Sequence, residues 1–188
     1  MATQEQVDEL KTKMREQRAV LIEAARSLTP VDALRVPVDA QGEEQWTALE
    51  QLAHLWEMER SYDSWVLAAL RGDNPDLRGV HGSPVEIPIE KANDATIADL
   101  LSWLEVERSY TRGLIDALPL DAFDRTATSP IFGTLTVLQW LRSFYRHDRQ
   151  HGAQILGRKS DYQPQFKDGK EPDQRKARID LVRSRDGR

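Results

Sequence analysis

Four segments of this chain place apolar residues at helical spacing with charged residues between them, and that pattern limits the fold more than any other feature. In the first segment the stripe is Val7, Leu10, Met14, Leu21, Ala24 and Leu28, and Pro30 ends it. The second begins at Thr47, where TALE has the form of a capping box between Thr47 and Glu50. It continues through Leu52, Leu55, Trp56, Tyr62, Val66 and Leu70 and stops at Gly72. The third runs from about Asp94 to Leu118 with Ile97, Leu100, Leu101, Leu104, Leu114 and Ile115 on one side, and Pro119 follows it. The fourth runs from Thr134 or Thr136 to Leu156, with a second capping-box pattern in TVLQ and a stop at Gly157. Single-stripe helices bury their apolar faces only against one another, so the expected fold is all-α, a four-helix bundle.

The connections shape the topology. RGDNPDLRGVHGSPVEIPIE, between the second and third helices, has three prolines and three glycines and reads as a long non-helical loop. PLDAFDRTATSPIFG links the third helix to the fourth. Connections of this length leave room for a crossover. Residues 1–157 form the expected bundle. Residues 158–188 form a polar, basic extension, irregular and partly disordered, with Tyr162 and Phe166 placed to pack back on the bundle.

Charge and composition exclude some functions. The chain carries a net charge of −5, yet the segment from Gly157 onward has ten Lys or Arg against six Asp or Glu, so the bundle itself is strongly acidic. An acidic body does not suit nucleic acid, whose binding needs a basic face. Cysteine is absent, which removes thiolate chemistry by the protein and fits a reducing compartment. The polar N-terminal segment has no apolar core, and no run of about 18 apolar residues occurs, so a cytoplasmic protein that does not enter a membrane is expected.

The histidines carry the chemistry. Of the four in the chain, His147 and His151 stand one helical turn apart in FYRHDRQHGAQI. Residues at i and i+4 lie about 40° apart around a helix, so both imidazoles share a face. Trp140, Phe144, His147, His151 and Ile155 follow one another at spacings of three or four, which turns that face inward. His54 lies on the apolar side of the second helix, between Leu52 and Trp56. Three inward imidazoles are difficult to satisfy one by one, because each buried ring needs partners at both nitrogens; a shared cation satisfies all three. A ferritin-like di-iron site does not fit, since it requires two ExxH motifs and two further inward glutamates. His81, in the glycine-flanked loop GVHGSP, is expected to be solvent-exposed.

WTALEQLAHL at residues 46–55, followed by TLTVLQWLRSFYRHDRQHGAQI, resembles the DinB/YfiT-like superfamily of metal-binding four-helix bundles. The matching positions are Trp46, Thr47 and His54, then Thr134 or Thr136, then His147, His151, Gln154 and Ile155. The resemblance implies a divalent metal bound by His54, His147 and His151, with water completing its shell, and three imidazoles suit zinc, nickel or iron. It implies a metal-dependent enzyme of hydrolase type or of low-molecular-weight-thiol S-transferase type, acting on a small-molecule substrate. A homodimer is implied as well, and Trp65 and Trp103 are the aromatic residues available for an interface or for the core. The alternative is a non-catalytic, stress-associated binding bundle whose metal is structural or incidental. The catalytic residues are not identified by the sequence. Glu50 and Asp148 are candidates to orient an imidazole, with surface salt bridges as their default role, and of Glu57 and Glu59, three and five positions after His54, Glu57 is nearer its face.

Overall fold

The computed structural model describes residues 1–36 and 46–169. Its elements are α1 (Gln4–Arg26), a one-turn α2 (Pro30–Ala33), α3 (Ala48–Arg71), α4 (Ile97–Ala117), a hairpin of β1 (Thr126–Ser129) and β2 (Gly133–Thr136), and α5 (Val137–Gln154). The four long helices form the bundle. A threonine caps each of them: Thr3, Thr47, Thr96 and Thr136 accept the amide three residues on, and Gln6, Glu50, Asp99 and Gln139 complete the boxes. Thr136, not Thr134, therefore starts the fourth long helix.

Two expectations from the sequence are corrected. The third long helix begins at Ile97 rather than near Asp94, because Thr96 and Asp99 close a capping box there; Ile89–Asp94 forms a separate 3-10 turn inside the connection read as non-helical. The segment before the fourth helix contains a β-hairpin as well as a 3-10 turn, Leu120–Asp124. Gly133, at φ 77°, supplies the left-handed residue at its turn, and Thr134 sits opposite Thr128. The hairpin also anchors the long loop, whose Leu77 amide donates to the Thr128 carbonyl at 2.9 Å.

Contacts between side chains fix the helix directions. On α1 and α4, Arg18 reaches the Leu104 carbonyl while Arg108 reaches that of Met14, so these helices are antiparallel. His54 facing His151 and Trp65 facing Trp140 make α3 and α5 antiparallel as well. Between α3 and α4 the contacts advance together, from Trp56 on Glu107 to Asp63 on Thr111, which makes this pair parallel. Arg18 on Asp148 and Leu21 on Gly152 make α1 and α5 parallel. The order is up, down, down, up. A parallel neighbour requires the chain to return along a helix of 24 residues, about 36 Å, and the loop from residue 72 to 96 makes that return. Gly82 allows the loop to lie on α3, since a Cβ there would stand 2.7 Å from the Arg60 carbonyl carbon. Arg60 then reaches back to the Pro84 carbonyl and pairs with Glu107 at 2.7 Å.

The core is divided by charge. Leu10, Met14, Trp65, Trp140 and Phe144 belong to one apolar cluster, and Leu21, Leu52, Trp56, Leu100 and Ile155 to another. Between them Arg18, Glu59, Arg108 and Asp148, one from each long helix, form a closed ring of ion pairs. None of the four is more than 5% exposed. Arg18 holds Asp148 with two hydrogen bonds of 3.0 Å, and Arg108 holds Glu59 at 2.6 and 3.1 Å. Burial pushes the Glu59 carboxyl up, but Arg108 and Arg18 outweigh it and hold the group below its ordinary value.

Asp63, next to the ring, behaves oppositely. Burial, with the Glu59 charge behind it, raises its carboxyl to about 8. The Thr111 hydroxyl has one proton for three acceptors, Asp63 at 2.9 Å, Glu59 at 3.1 Å and the Glu107 carbonyl at 3.2 Å, and a proton on Asp63 would relieve that competition by donating to the hydroxyl.

Trp65 and Trp103 are both used internally, Trp65 through a hydrogen bond to the Val80 carbonyl and Trp103 by stacking on Trp56 at 5.0 Å. Among the described residues no helix is long and apolar enough to cross a membrane. Residues 158–169 fold back along α5, with Phe166 stacked on Phe132 at 5.5 Å and the Lys167 amide donating to the Ile131 carbonyl. The part of the extension expected to be disordered from residue 170 onward lies outside the described residues.

Two stability measurements check this core. Glu59→Gln leaves two buried guanidinium groups short of a counter-charge, and urea denaturation should show a loss of about 3–5 kcal/mol. Asp63 in the fold keeps a proton that the unfolded chain releases above its ordinary value of 3.8, so its contribution to stability falls as pH rises from about 4 to about 8. Asp63→Asn keeps the donor to Thr111 and should raise stability at pH 7 by roughly 2–4 kcal/mol while flattening that decline. An unchanged pH profile in the Asn variant would show that Asp63 is ionised in the fold.

Candidate metal centre

The antiparallel pairing of α3 and α5 brings the three inward histidines together. His54 sits two turns into α3, and His147 and His151 occupy the last two turns of α5. The His54 ring is 4.9 Å from His147 and 5.3 Å from His151, edge-on to both. His147 and His151 point Nε2 at Nε2 with 2.8 Å between them, and one nitrogen from each of the three rings lies within 4.8 Å of the others. Among the described residues this is the one group of three or more candidate ligands that converges on a point, and no carboxylate belongs to it.

His54 and His151 are buried and His147 is half-buried. Burial lowers His147 to about 4 against the opposing pull of the Asp148 and Glu59 carboxylates. His151 is also held well below the usual histidine value, first by burial and then by the charges its two neighbours would carry. His147 and His151 are therefore neutral, as metal ligation requires.

The other candidates have different employments. Glu50 accepts the Thr47 amide in the α3 capping box. Glu57 accepts the Ile89 amide and so ties the 3-10 turn to α3. Asp148 is neither a surface residue nor paired to an imidazole: at 1% exposure it belongs to the central ion-pair ring, because its position on α5 points between α1 and α4. His81 is exposed, as expected, and stands apart from the group.

Two aromatic residues complete the surroundings. Trp46 packs on the His54 ring at 4.6 Å, and Tyr62 lies 6.0 Å from His147. Burial raises the Tyr62 hydroxyl above its ordinary value, which keeps it a neutral donor. Tyr62 was readable only as a stripe residue, yet its place two turns after His54 on the same face is the spacing that could have marked it.

The sequence profile of the DinB superfamily matches residues 13–155. The chain belongs to the DinB superfamily. Its fold is shared with YfiT from Bacillus subtilis, described as a probable metal-dependent hydrolase with an unusual four-helix bundle topology, at 21% identity and a TM-score of 0.65 over 82% of this chain and 86% of that one. It is shared too with a mycothiol-dependent maleylpyruvate isomerase, at 12% identity and a TM-score of 0.62 over 79% of this chain and 60% of that one. A third structure, the four-helix bundle protein TT2238, aligns at 21% identity and a TM-score of 0.55 over 78% of this chain and 94% of that one. At these identities the likeness is one of fold. Comparison with curated protein sequences gives no match.

The histidine group of this DinB-superfamily chain fits a divalent cation. Nitrogens about 2.0–2.1 Å from one tetrahedral ion stand about 3.4 Å apart, a spacing bracketed by the 2.8 Å between His147 and His151 and the 4.8 Å that bounds the group, so seating an ion asks for side-chain shifts on the order of 1 Å. Because protons compete for His147 only as pH approaches about 4, zinc bound at pH 7 should persist through pH 6 and pH 5. Equilibrium dialysis with zinc, with helicity followed in parallel, tests this; release between pH 7 and 6 from a folded chain would contradict the neutral, buried site.

Proposed function

We propose that this DinB-superfamily protein is a metal-dependent enzyme acting on a small molecule, with a divalent ion (zinc, nickel or iron) held by His54, His147 and His151. The supporting observation is the convergence of three imidazoles from two helices, with no fourth protein ligand among the described residues. Three ligands leave coordination positions for substrate, as catalytic sites do. When bound, the ion supplies a Lewis acid that acidifies water or a thiol.

The chain's own residues set the approach. His54 and His151 close the inner side of the group, and half-buried His147 marks the side reached from solvent. Buried Tyr62, its hydroxyl kept neutral, packs 6.0 Å from the His147 ring, and Trp46 packs on His54 at 4.6 Å. Glu50, Glu57 and Asp148 each hold another partner, so none of them is poised as a general base. That favours a reaction in which the nucleophile arrives with a cosubstrate over base-assisted hydrolysis. With no cysteine in the chain, a low-molecular-weight thiol is the fitting cosubstrate, a chemistry in keeping with the mycothiol dependence of the isomerase that shares the fold.

Elemental analysis of protein purified without added metal should find about one divalent ion per chain, and His54→Ala, His147→Ala and His151→Ala should each lose it. The zinc-loaded protein, offered a low-molecular-weight thiol and an activated electrophile, should consume free thiol faster than the metal-free form. Stoichiometric metal without thiol consumption would assign the ion the structural role of the alternative reading. No metal uptake by the wild type would remove the reading altogether.

A further inference from the structure

Behind the histidines lie polar groups that the protein leaves without partners. Gln51 Nε2 and Oε1, Gln154 Oε1 and His151 Nδ1 are buried and make no hydrogen bond. Gln51 and His151 are 0% exposed and Gln154 is 2% exposed, so bulk water does not supply what is missing.

The helix geometry places them together. His54 on α3 faces His151 on α5, and the helices run antiparallel. One turn back along α3 is Gln51, and one turn forward along α5 is Gln154, so both carboxamides fall on the same rung next to the site. Side chains on a helix lean toward its N-terminus, which tips Gln154 back over the turn carrying His151. Gln150, whose Oε1 also lacks a partner, precedes His151 by one residue and lies about 100° away around the helix.

Donor and acceptor counting, with position on the helix, then favours one arrangement. His151 Nε2 points at His147 Nε2, the direction of the shared ion, so it must be bare to bind metal. Its proton then sits on Nδ1, where an unpaired buried donor is costly. The orphaned carboxamide oxygen of Gln154 is the acceptor on the same face, one turn away.

We propose that Gln154 is a positioning residue of the metal site: its Oε1 accepts the His151 Nδ1 proton, directly or through one enclosed water, and holds the ring in the tautomer whose Nε2 is free for the ion. Gln51 closes the polar cell from α3. The inference rests on the metal reading above and concerns how the ligand is prepared before metal arrives.

The test uses the full chain, zinc, and Gln154→Met, which keeps side-chain length and removes the acceptor. Zinc affinity, measured by competition with a chromophoric chelator, should fall about tenfold or more, whereas the melting temperature of the metal-free protein should change little, because the His151 ring can move its proton to Nε2 and donate it to His147 Nε2, 2.8 Å away. A residue that only supports the fold would move the two together. Gln154→Glu, which keeps an acceptor, should restore most of the affinity. Long-range nitrogen-proton NMR of the metal-free wild type gives a reading independent of any variant: His151 should carry its proton on Nδ1. A proton on Nε2, or a folded Gln154→Met protein that binds zinc as tightly as the wild type, overturns the inference alone. A wild type that takes up no zinc overturns the metal reading and this inference with it.

Discussion

Two arginines and two carboxylates meet where the four helices cross, and none can leave without stranding a charge in a dry core. Arg18, Glu59, Arg108 and Asp148 form a closed circuit in which α1 and α4 are each ion-paired to both α3 and α5. Apolar residues alone would let a helix slide by a turn at modest cost, since one leucine replaces another. A bidentate arginine-carboxylate pair tolerates no such slip. The ring thus sets the register of the bundle, and the register sets the site: with Glu59 and Asp148 fixed, His54 on α3 falls level with His147 and His151 on α5. The ring and the site are linked electrostatically too, because the carboxylates of Asp148 and Glu59 oppose the lowering of His147 by burial.

The connections serve the same geometry. Parallel α3 and α4 require a return along the bundle, and the returning loop is held by Arg60, Trp65, Glu57 and the hairpin instead of lying free. The hairpin in turn receives the C-terminal segment, which stacks Phe166 on Phe132 and, through Phe132, touches the column of Trp140 and Trp65. The strap therefore runs beside α5, the helix that supplies two of the three imidazoles.

Much of the fold was legible because helices announce themselves locally. Apolar spacing, joined by threonine caps and glycine stops at the second and fourth, marks the long helices to within a few residues, and the third starts later than its stripe suggests because Thr96 and Asp99 close a capping box there. The hairpin escaped notice because its four-residue strands are too short to show a period. The charge ring escaped as well, though the stripes carried its trace: between Met14 and Leu21, and again between Leu104 and Leu114, an apolar position is missing, and Arg18 and Arg108 stand in those gaps. A charged residue at an inward position, repeated in all four helices with balanced sign, was the available signal.

The sequence by itself determined that four amphipathic helices pack together and that three histidines face inward, since helical period and side-chain polarity are properties of neighbouring residues. Only the tertiary structure decided the up-down-down-up order, the pairing of Asp148 with arginines rather than with solvent, and the meeting of His54 with His147 and His151. Those depend on contacts between residues some 40 to 130 positions apart, where burial turns a charge that would be harmless on the surface into one that must find its partner.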